Sequence, residues 1–295
     1  MKIKKYLKLI RASHWIKNIF LFVPLVYSKK LFNWDDLSLT LLGFMAFNFA
    51  SSIVYVLNDI VDKDRDRLHP KKRLRPIPAG DISVKEAYVV LLVLGVLTIL
   101  FSFHLNYAFE MVVIAYILLN TVYSFKLKNI VLLDIFSIAG GFILRVAAGT
   151  VVIGVAASSW LVLITLFISL FLAVMKRMSE SDLLSSEDQD HIPVRRVLEN
   201  YSKRFIDQIS AVSAGGVIVF YALYTVSPRT VETFGTENLI YTTAFVVFGI
   251  FRYMYLVYQH HRGENTIDIL LHDVSTILNA LLYVAVTLLI VYKVI

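Results

Sequence analysis

Apolar residues run along this chain in blocks of roughly twenty, the length a helix needs to cross a bilayer, with short polar stretches between them. Nine blocks are legible, at about 16–34, 37–59, 83–103, 107–124, 131–153, 159–177, 206–227, 238–258 and 271–291. The first is the weakest, because Lys17, Asn18, Pro24, Lys29 and Lys30 interrupt it. Ahead of it, Ile3, Leu7 and Ile10 recur at helical spacing among lysines, which predicts an interfacial helix over residues 1–13. The apolar run that follows ends in VYSKK without small residues, which argues against a cleaved leader. The pattern predicts an all-α integral membrane protein forming a single membrane domain over 1–295. Polar loops at 60–82, 124–130 and 176–205 connect its spans.

Composition agrees. Hydrophobic residues make up 58% of the 295 positions and charged ones 17%, more apolar surface than one soluble core hides. There is no cysteine, so disulfides, thiolate nucleophiles and cysteine metal sites are excluded. The seven histidines show no metal-ligand spacing beyond the adjacent pair His260 and His261.

Lys and Arg set the orientation. With the N-terminus in the cytoplasm and nine crossings, 23 of the 29 fall on the cytoplasmic side and 4 on the other; Arg145 and Arg252 lie within spans. The net charge of +7 is therefore a topology signal and gives no reason to expect nucleic acid. The protein is expected in the inner, cytoplasmic membrane, with its polar clusters at the cytoplasmic face.

The stretch NDIVDKDRDRLHPKKRLRPIPAG, residues 58–80, concentrates both signs of charge beside the second span. If the helix continues, Asp59, Asp62 and Asp66 fall three and four apart on one face, with Asn58 beside them and Asp64 turned to water. Neighbouring carboxylates at ~6 Å repel by roughly 3 kcal/mol at an effective dielectric near 20, so a counter-charge is required. A row of hard oxygens suits Mg²⁺, which takes one or two carboxylates plus substrate phosphates. Lys71, Lys72, Arg73 and Arg75 follow at once, as a phosphate-gripping half would. The plainer alternatives are a solvated loop of mixed charge and a polybasic patch on anionic lipid.

Two further clusters lie on the same face. One is YSFKLKN with Tyr123, Lys126 and Lys128, leading to Asp134; Arg145 stands about three turns further along that span. An ionisable group inside a membrane faces a polar cavity or a buried counter-ion. The other cluster is MKRMSE, with Lys176, Arg177 and Glu180. A pocket at the cytoplasmic mouth would use all three together. The long loop after it, 179–203, reads as a solvated connector, with a lid as the alternative.

These motifs resemble the UbiA superfamily of intramembrane prenyltransferases, over essentially the whole chain. The residues that carry the likeness are Asn58-Asp59-x-x-Asp62-x-x-x-Asp66, the Tyr123-Ser-x-x-Leu127-Lys128 turn and the nine spans. LIRASHWIKNIFLFVPL, DRDRLHPKKRLRPIPAG, LLDIFSIAGGFILRVAAG and SLFLAVMKRMSE are similar to the decaprenyl-phosphate phosphoribosyltransferase branch. Two departures stand out: Ile130 occupies the place of a second-motif aspartate, leaving Asp134 alone, and Ala12 and His14 replace the branch's usual Pro and Gln. The resemblance implies nine helices around a central cavity and a Mg²⁺-dependent transfer of 5-phosphoribosyl from 5-phosphoribosyl diphosphate (PRPP) to a polyprenyl phosphate. It implies that Asp59, Asp62 and Asp66 hold metal and diphosphate, with Asn58 positioning them. Lys17, Asn18, Arg73, Arg75, Tyr123, Lys126, Asp134, Arg145, Lys176, Arg177 and Glu180 would bind substrate. A prenyl transfer to an aromatic acceptor and a non-catalytic transporter are the alternatives.

Overall fold

A computed structural model describes residues 2–69, 72–182, 200–260, 269 and 272–293. Lys71, much of the loop at 179–203, and the pair His260 and His261 at the level of their side chains lie outside this description. Every regular element among the described residues is helical: α1 (Lys2–Leu9), α2 (Val23–Tyr27), α3 (Trp34–Val61), α4 (Lys63–Arg67), α5 (Val84–Ser102), α6 (Tyr107–Phe125), α7 (Leu133–Val152), α8 (Ser159–Asp182), α9 (Lys203–Val226), α10 (Pro228–Phe234), α11 (Thr243–His260) and α12 (Val274–Val291), with short 3-10 segments between some of them. Among the described residues eight helices are long and apolar enough to cross a membrane, and a ninth span is available if the bent pair Ile3–Leu9 and Ala12–Tyr27 counts as one.

That first segment departs from expectation. It is broken by 49° and runs as a 3-10 helix over Ala12–Phe22 before α2, ending at Tyr27 rather than near residue 34. The break falls at Arg11, whose backbone is left-handed (φ 51°). A long 3-10 run is uncommon because its hydrogen-bond geometry is poor, so packing must hold it. Gly149 on α7 shows how: a Cβ there would collide with the Leu21 carbonyl, so only glycine lets the two backbones meet. Elsewhere, helix starts follow from local chemistry. Asn33, Asn106 and Ser202 cap α3, α6 and α9 with their side chains, and Ser83 with Glu86 forms a capping box on α5.

Two compact units make up the chain, the first covering residues 1–156 and the second the helices from Ser159 onward. In the first, α3 packs against α5, α6, α7 and the 3-10 segment, and its core joins Leu21, Leu25, Phe47, Ala50, Phe109, Tyr116, Ala148 and Val152. Buried residues fill 56% of the apolar window of α3 and of α7, against 17% for α5, whose Val89, Leu92, Val96 and Ile99 face outward as lipid-contacting side chains would.

In the second unit α8 packs along α9, where Gly216 leaves room for the Phe167 ring. Asp273 caps α12 by accepting from the Thr276 amide and hydroxyl at 2.9 and 2.8 Å. It also takes a two-pronged bond from Arg252 of α11 at 3.1 and 2.7 Å. The Arg252 hydrogen bonds hold the Asp273 carboxyl well below the usual carboxylate range.

Gly149→Ala should lower stability by about 1–3 kcal/mol. Gly95→Ala, where an added Cβ meets nothing within 4 Å, should be neutral or raise it by up to about 1 kcal/mol; thermal unfolding in detergent checks the contrast. The depressed carboxyl of Asp273 gives a pH dependence whose sign is fixed. Its contribution is complete above the ordinary carboxylate range and falls away as the pH drops through that range toward the folded-state value. Unfolding measured from pH 7 to pH 3 should lose less stability in Asp273→Asn than in the parent, because the variant lacks the contribution throughout.

Candidate functional site

The site begins at a helix end. α3 stops at Val61 with Asp62 as its C-cap, and a separate turn, α4, carries Asp66. The three carboxylates therefore do not form one row on a continuous helix. Asp59 and Asp66 are 1% and 3% exposed and turn to the same guanidinium: Arg75 donates to Asp66 at 2.5 Å and to Asp59 at 3.2 Å. Arg11 donates to the same Asp59 oxygen at 2.5 Å and lies over the Tyr55 ring. Asp62 is directed elsewhere, to the buried Lys128, whose ammonium meets both its oxygens at 2.9 and 3.0 Å.

The loop after α4 explains why Arg75, and not Arg73, reaches the carboxylates. Residues 72–82 form a compact knot in which Pro76, Ile77 and Pro78 are buried. Backbone bonds run from Ala79 to Arg75 and from Ile82 to Pro76, and Gly80 takes the left-handed turn. The knot is fastened to α1 by Lys8 on the Leu74 carbonyl and by Lys5 on Asp81, both at 2.6 Å. Arg73 is left exposed, while Arg75 is drawn inward. Burial, with the Arg11 charge alongside, pushes the Arg75 guanidinium below its ordinary value, and Asp59 and Asp66 draw it back.

A second polar assembly lies inside the same unit. Arg145 on α7 is 5% exposed and donates to Asn18 at 2.7 Å, to the Gly141 carbonyl at 2.9 Å and to the Tyr116 hydroxyl at 2.9 Å. The rings of Phe47, Tyr116 and Phe142 stand 4.9–5.7 Å from its guanidinium carbon. Among the described residues Arg145 is balanced by neutral acceptors and aromatic faces rather than by a carboxylate. Asn18 continues the chain to Asn48 at 2.6 Å and to Ser51 at 3.2 Å. Lys17 precedes Asn18 in the same 3-10 segment and is half-buried.

The remaining expected residues fall on several elements. Lys126 is exposed, Tyr123 half-buried, Asn58 half-buried at the last turn of α3, and Asp134 fully buried at the start of α7. Lys176, Arg177 and Glu180 belong to the second unit, where the buried Arg177 pairs with Glu180 on the same helix. The sequence reading passed over Arg11 as a site residue, although it stands in the quoted LIRASHW motif; its left-handed backbone, which aims it at Asp59, has no signature in the residue types.

Among the described residues no three His, Asp or Glu side chains gather as a metal cage. The donors at the α3 end still suit Mg²⁺, which needs only one or two carboxylates and completes its shell with phosphate oxygens and water.

The arrangement so far is that of a membrane protein with paired acidic and basic side chains at the end of a span. Comparisons narrow it. Residues 19–272 match the UbiA prenyltransferase family, and the chain belongs to that family of transferases. It is 33% identical over 225 residues to the decaprenyl-phosphate phosphoribosyltransferase of Mycolicibacterium smegmatis, covering 75% of this chain and 70% of that one. It is 30% identical over 239 residues to an uncharacterized Sinorhizobium fredii protein, y4nM, covering 81% of this chain and spanning only 46% of that protein's length. Its fold matches that of a UbiA homolog from Archaeoglobus fulgidus bound to GPP and Mg²⁺, with a TM-score of 0.73 at 16% identity, over 98% of this chain and 99% of the other.

Arg75→Met leaves two nearly inaccessible carboxylates with half their compensation, and should cost about 3–5 kcal/mol. Lys5→Met, which breaks the exposed pair with Asp81, should cost no more than about 1 kcal/mol. Chemical denaturation of the two variants side by side measures the difference.

Proposed function

We propose that the protein transfers the 5-phosphoribosyl group of PRPP to a polyprenyl phosphate, giving polyprenyl-phosphoryl-5-phosphoribose and diphosphate, at the cytoplasmic side of the inner membrane. The single observation that carries this reading is the interleaving of Asp59, Asp62 and Asp66 with Arg11, Arg75 and Lys128 at the end of α3. Acidic and basic groups held in alternation are the two halves of a metal–diphosphate site. The relatives named for the same reaction support the choice of donor.

The chemistry asks little of the protein in proton transfer. The lipid phosphate is already anionic near neutral pH, so its oxygen attacks the anomeric carbon without a general base. The bond from that carbon to the diphosphate breaks, and diphosphate leaves with the electron pair. Mg²⁺ held by one or two of Asp59, Asp62 and Asp66 would neutralise the charge that grows on the leaving group. Arg75 and Arg11 trade their carboxylate partners for phosphate oxygens, and Lys128 does the same when it leaves Asp62. Asn58 positions the aspartates from the last turn of α3. Positive charge on the ribose ring peaks as the bond breaks, as in glycosyl transfer generally.

Incubation of the purified protein with Mg²⁺, PRPP and polyprenyl phosphate is expected to release diphosphate and yield a ribosylated lipid. Turnover only with a prenyl diphosphate and an aromatic acceptor would overturn the assignment in favour of prenyl transfer. Asp62→Asn should lower kcat by about 10²-fold or more, as loss of a transition-state charge partner does. Full activity in that variant would remove the aspartates from the mechanism.

A further inference from the structure

Tyr55 stands four residues before Asp59 on α3, so the two share a face one turn apart. One guanidinium links them: Arg11 donates to the Asp59 carboxyl and lies 4.8 Å from the centre of the Tyr55 ring. The His14 ring meets the same tyrosine edge-on, with centroids 5.3 Å apart and planes at 76°. Arg11 and His14 both belong to the start of the 3-10 segment, so one neighbouring piece of chain clamps the ring on α3.

The ring is held but its hydroxyl is not. Three side-chain hydroxyls lie on α3 between Asn48 and Asp59. Ser51 donates to the Asn48 carbonyl at 2.9 Å, and Ser52 donates to the Ile10 carbonyl at 2.9 Å while accepting from the Trp15 indole at 3.0 Å. The hydroxyl of the half-buried Tyr55 makes no hydrogen bond among the described residues. A phenol oxygen donates one hydrogen and accepts others, and in a partly buried place it normally finds a partner. A phenylalanine would serve both ring contacts equally well, so the fold has no use for the oxygen. A free hydroxyl on a clamped ring, one turn from a carboxylate of the site, is placed to meet a ligand.

We propose that Tyr55 is a specificity-determining residue: its hydroxyl hydrogen-bonds a ring hydroxyl of the ribose donor and so favours a glycosyl diphosphate over a prenyl one. This deepens the reaction assigned above and rests on it. With diphosphate at Asp59, the group bonded to it falls within about 5–6 Å, one helical turn. A helical side chain leans over the turn before its own Cα, so Tyr55 reaches in that direction, away from the end of α3. A pentose brings hydroxyls that both donate and accept. A prenyl chain brings none and would cover the tyrosine oxygen without pairing it, the costly outcome for a polar group. Sites that hydrogen-bond a substrate hydroxyl discriminate strongly against analogues that lack it.

Equilibrium binding to the full chain in nanodiscs with Mg²⁺ tests this without turnover. The probes are PRPP, inorganic diphosphate and geranyl diphosphate, measured on the parent and on Tyr55→Phe, which keeps the ring against Arg11 and His14. The variant should bind PRPP about three- to tenfold more weakly, as for the loss of one neutral hydrogen bond. It should bind inorganic diphosphate as the parent does and geranyl diphosphate equally well or better. Its unfolding midpoint should be unchanged or higher, because no hydrogen bond within the protein is lost. Unchanged PRPP affinity overturns the proposal, since the hydroxyl then meets only water. Equal weakening of PRPP and inorganic diphosphate, or a lowered unfolding midpoint, also overturns it, because the hydroxyl then supports the frame of the site. A parent that binds PRPP no better than inorganic diphosphate removes the donor assigned above and this role with it. A parent that prefers PRPP, with no contrast in Tyr55→Phe, removes this role alone.

Discussion

One buried carboxylate ties the first unit together. Asp59 sits at the last turn of α3, nearly inaccessible to water, and a single oxygen of it receives both Arg11 and Arg75. A charge taken out of water is stable only where its partners are fixed, so everything that fixes them becomes part of the same interaction. Arg11 is fixed by the left-handed turn between α1 and the 3-10 segment. Arg75 is fixed by the proline-rich knot that α1 clasps through Lys5 and Lys8. The packing of the N-terminus, the end of the second span and the loop beyond it is therefore one electrostatic arrangement spread over three pieces of chain.

Much of this was legible in the sequence, for identifiable reasons. The spans after the first could be read because bilayer thickness fixes their length and lipid fixes their composition, and α3, α5, α6 and α7 fall close to the predicted blocks. The first span was misplaced because a broken 3-10 segment has no hydrophobic period of its own. Its shape comes from the Leu21 carbonyl pressing on Gly149, a contact between residues far apart in the chain. The predicted row of three aspartates failed at one residue: the helix ends at Asp62, and Lys128 takes that side chain away from the others. Spacing predicts a common face only while the helix continues.

The same limit explains the arginines. Arg73 and Arg75 are indistinguishable as residue types two apart, and only the fold of the knot decides that one is solvated and the other half-buried against two carboxylates. Arg145 was recognisable as costly from its place inside a span, but its partners were not. Asn18, Tyr116 and the Gly141 carbonyl come from three different elements and carry no charge that a pattern search would register. Uncharged partners suit that depth, because each carboxylate added there would bring its own desolvation penalty.

Charge is consequently graded along the first unit. At the end of α3 each of Asp59, Asp62 and Asp66 meets a cation, and Arg11, Arg75 and Lys128 together cancel the three carboxylates. An anion arriving there finds little net field until its own charge, or that of a metal it brings, displaces a partner. Around Arg145 the hydrogen-bond partners among the described residues are all neutral, so its charge is not cancelled by a carboxylate there. A neutral but exchangeable cluster is suited to rearranging around a leaving group. Preformed donors are effective because they need not reorganise as charge develops, whereas the paired cluster must give up its own contacts before it can bind. For the reaction proposed above, the consequence is selectivity: the aspartate end would open only for a ligand whose charge outweighs the pairs already made.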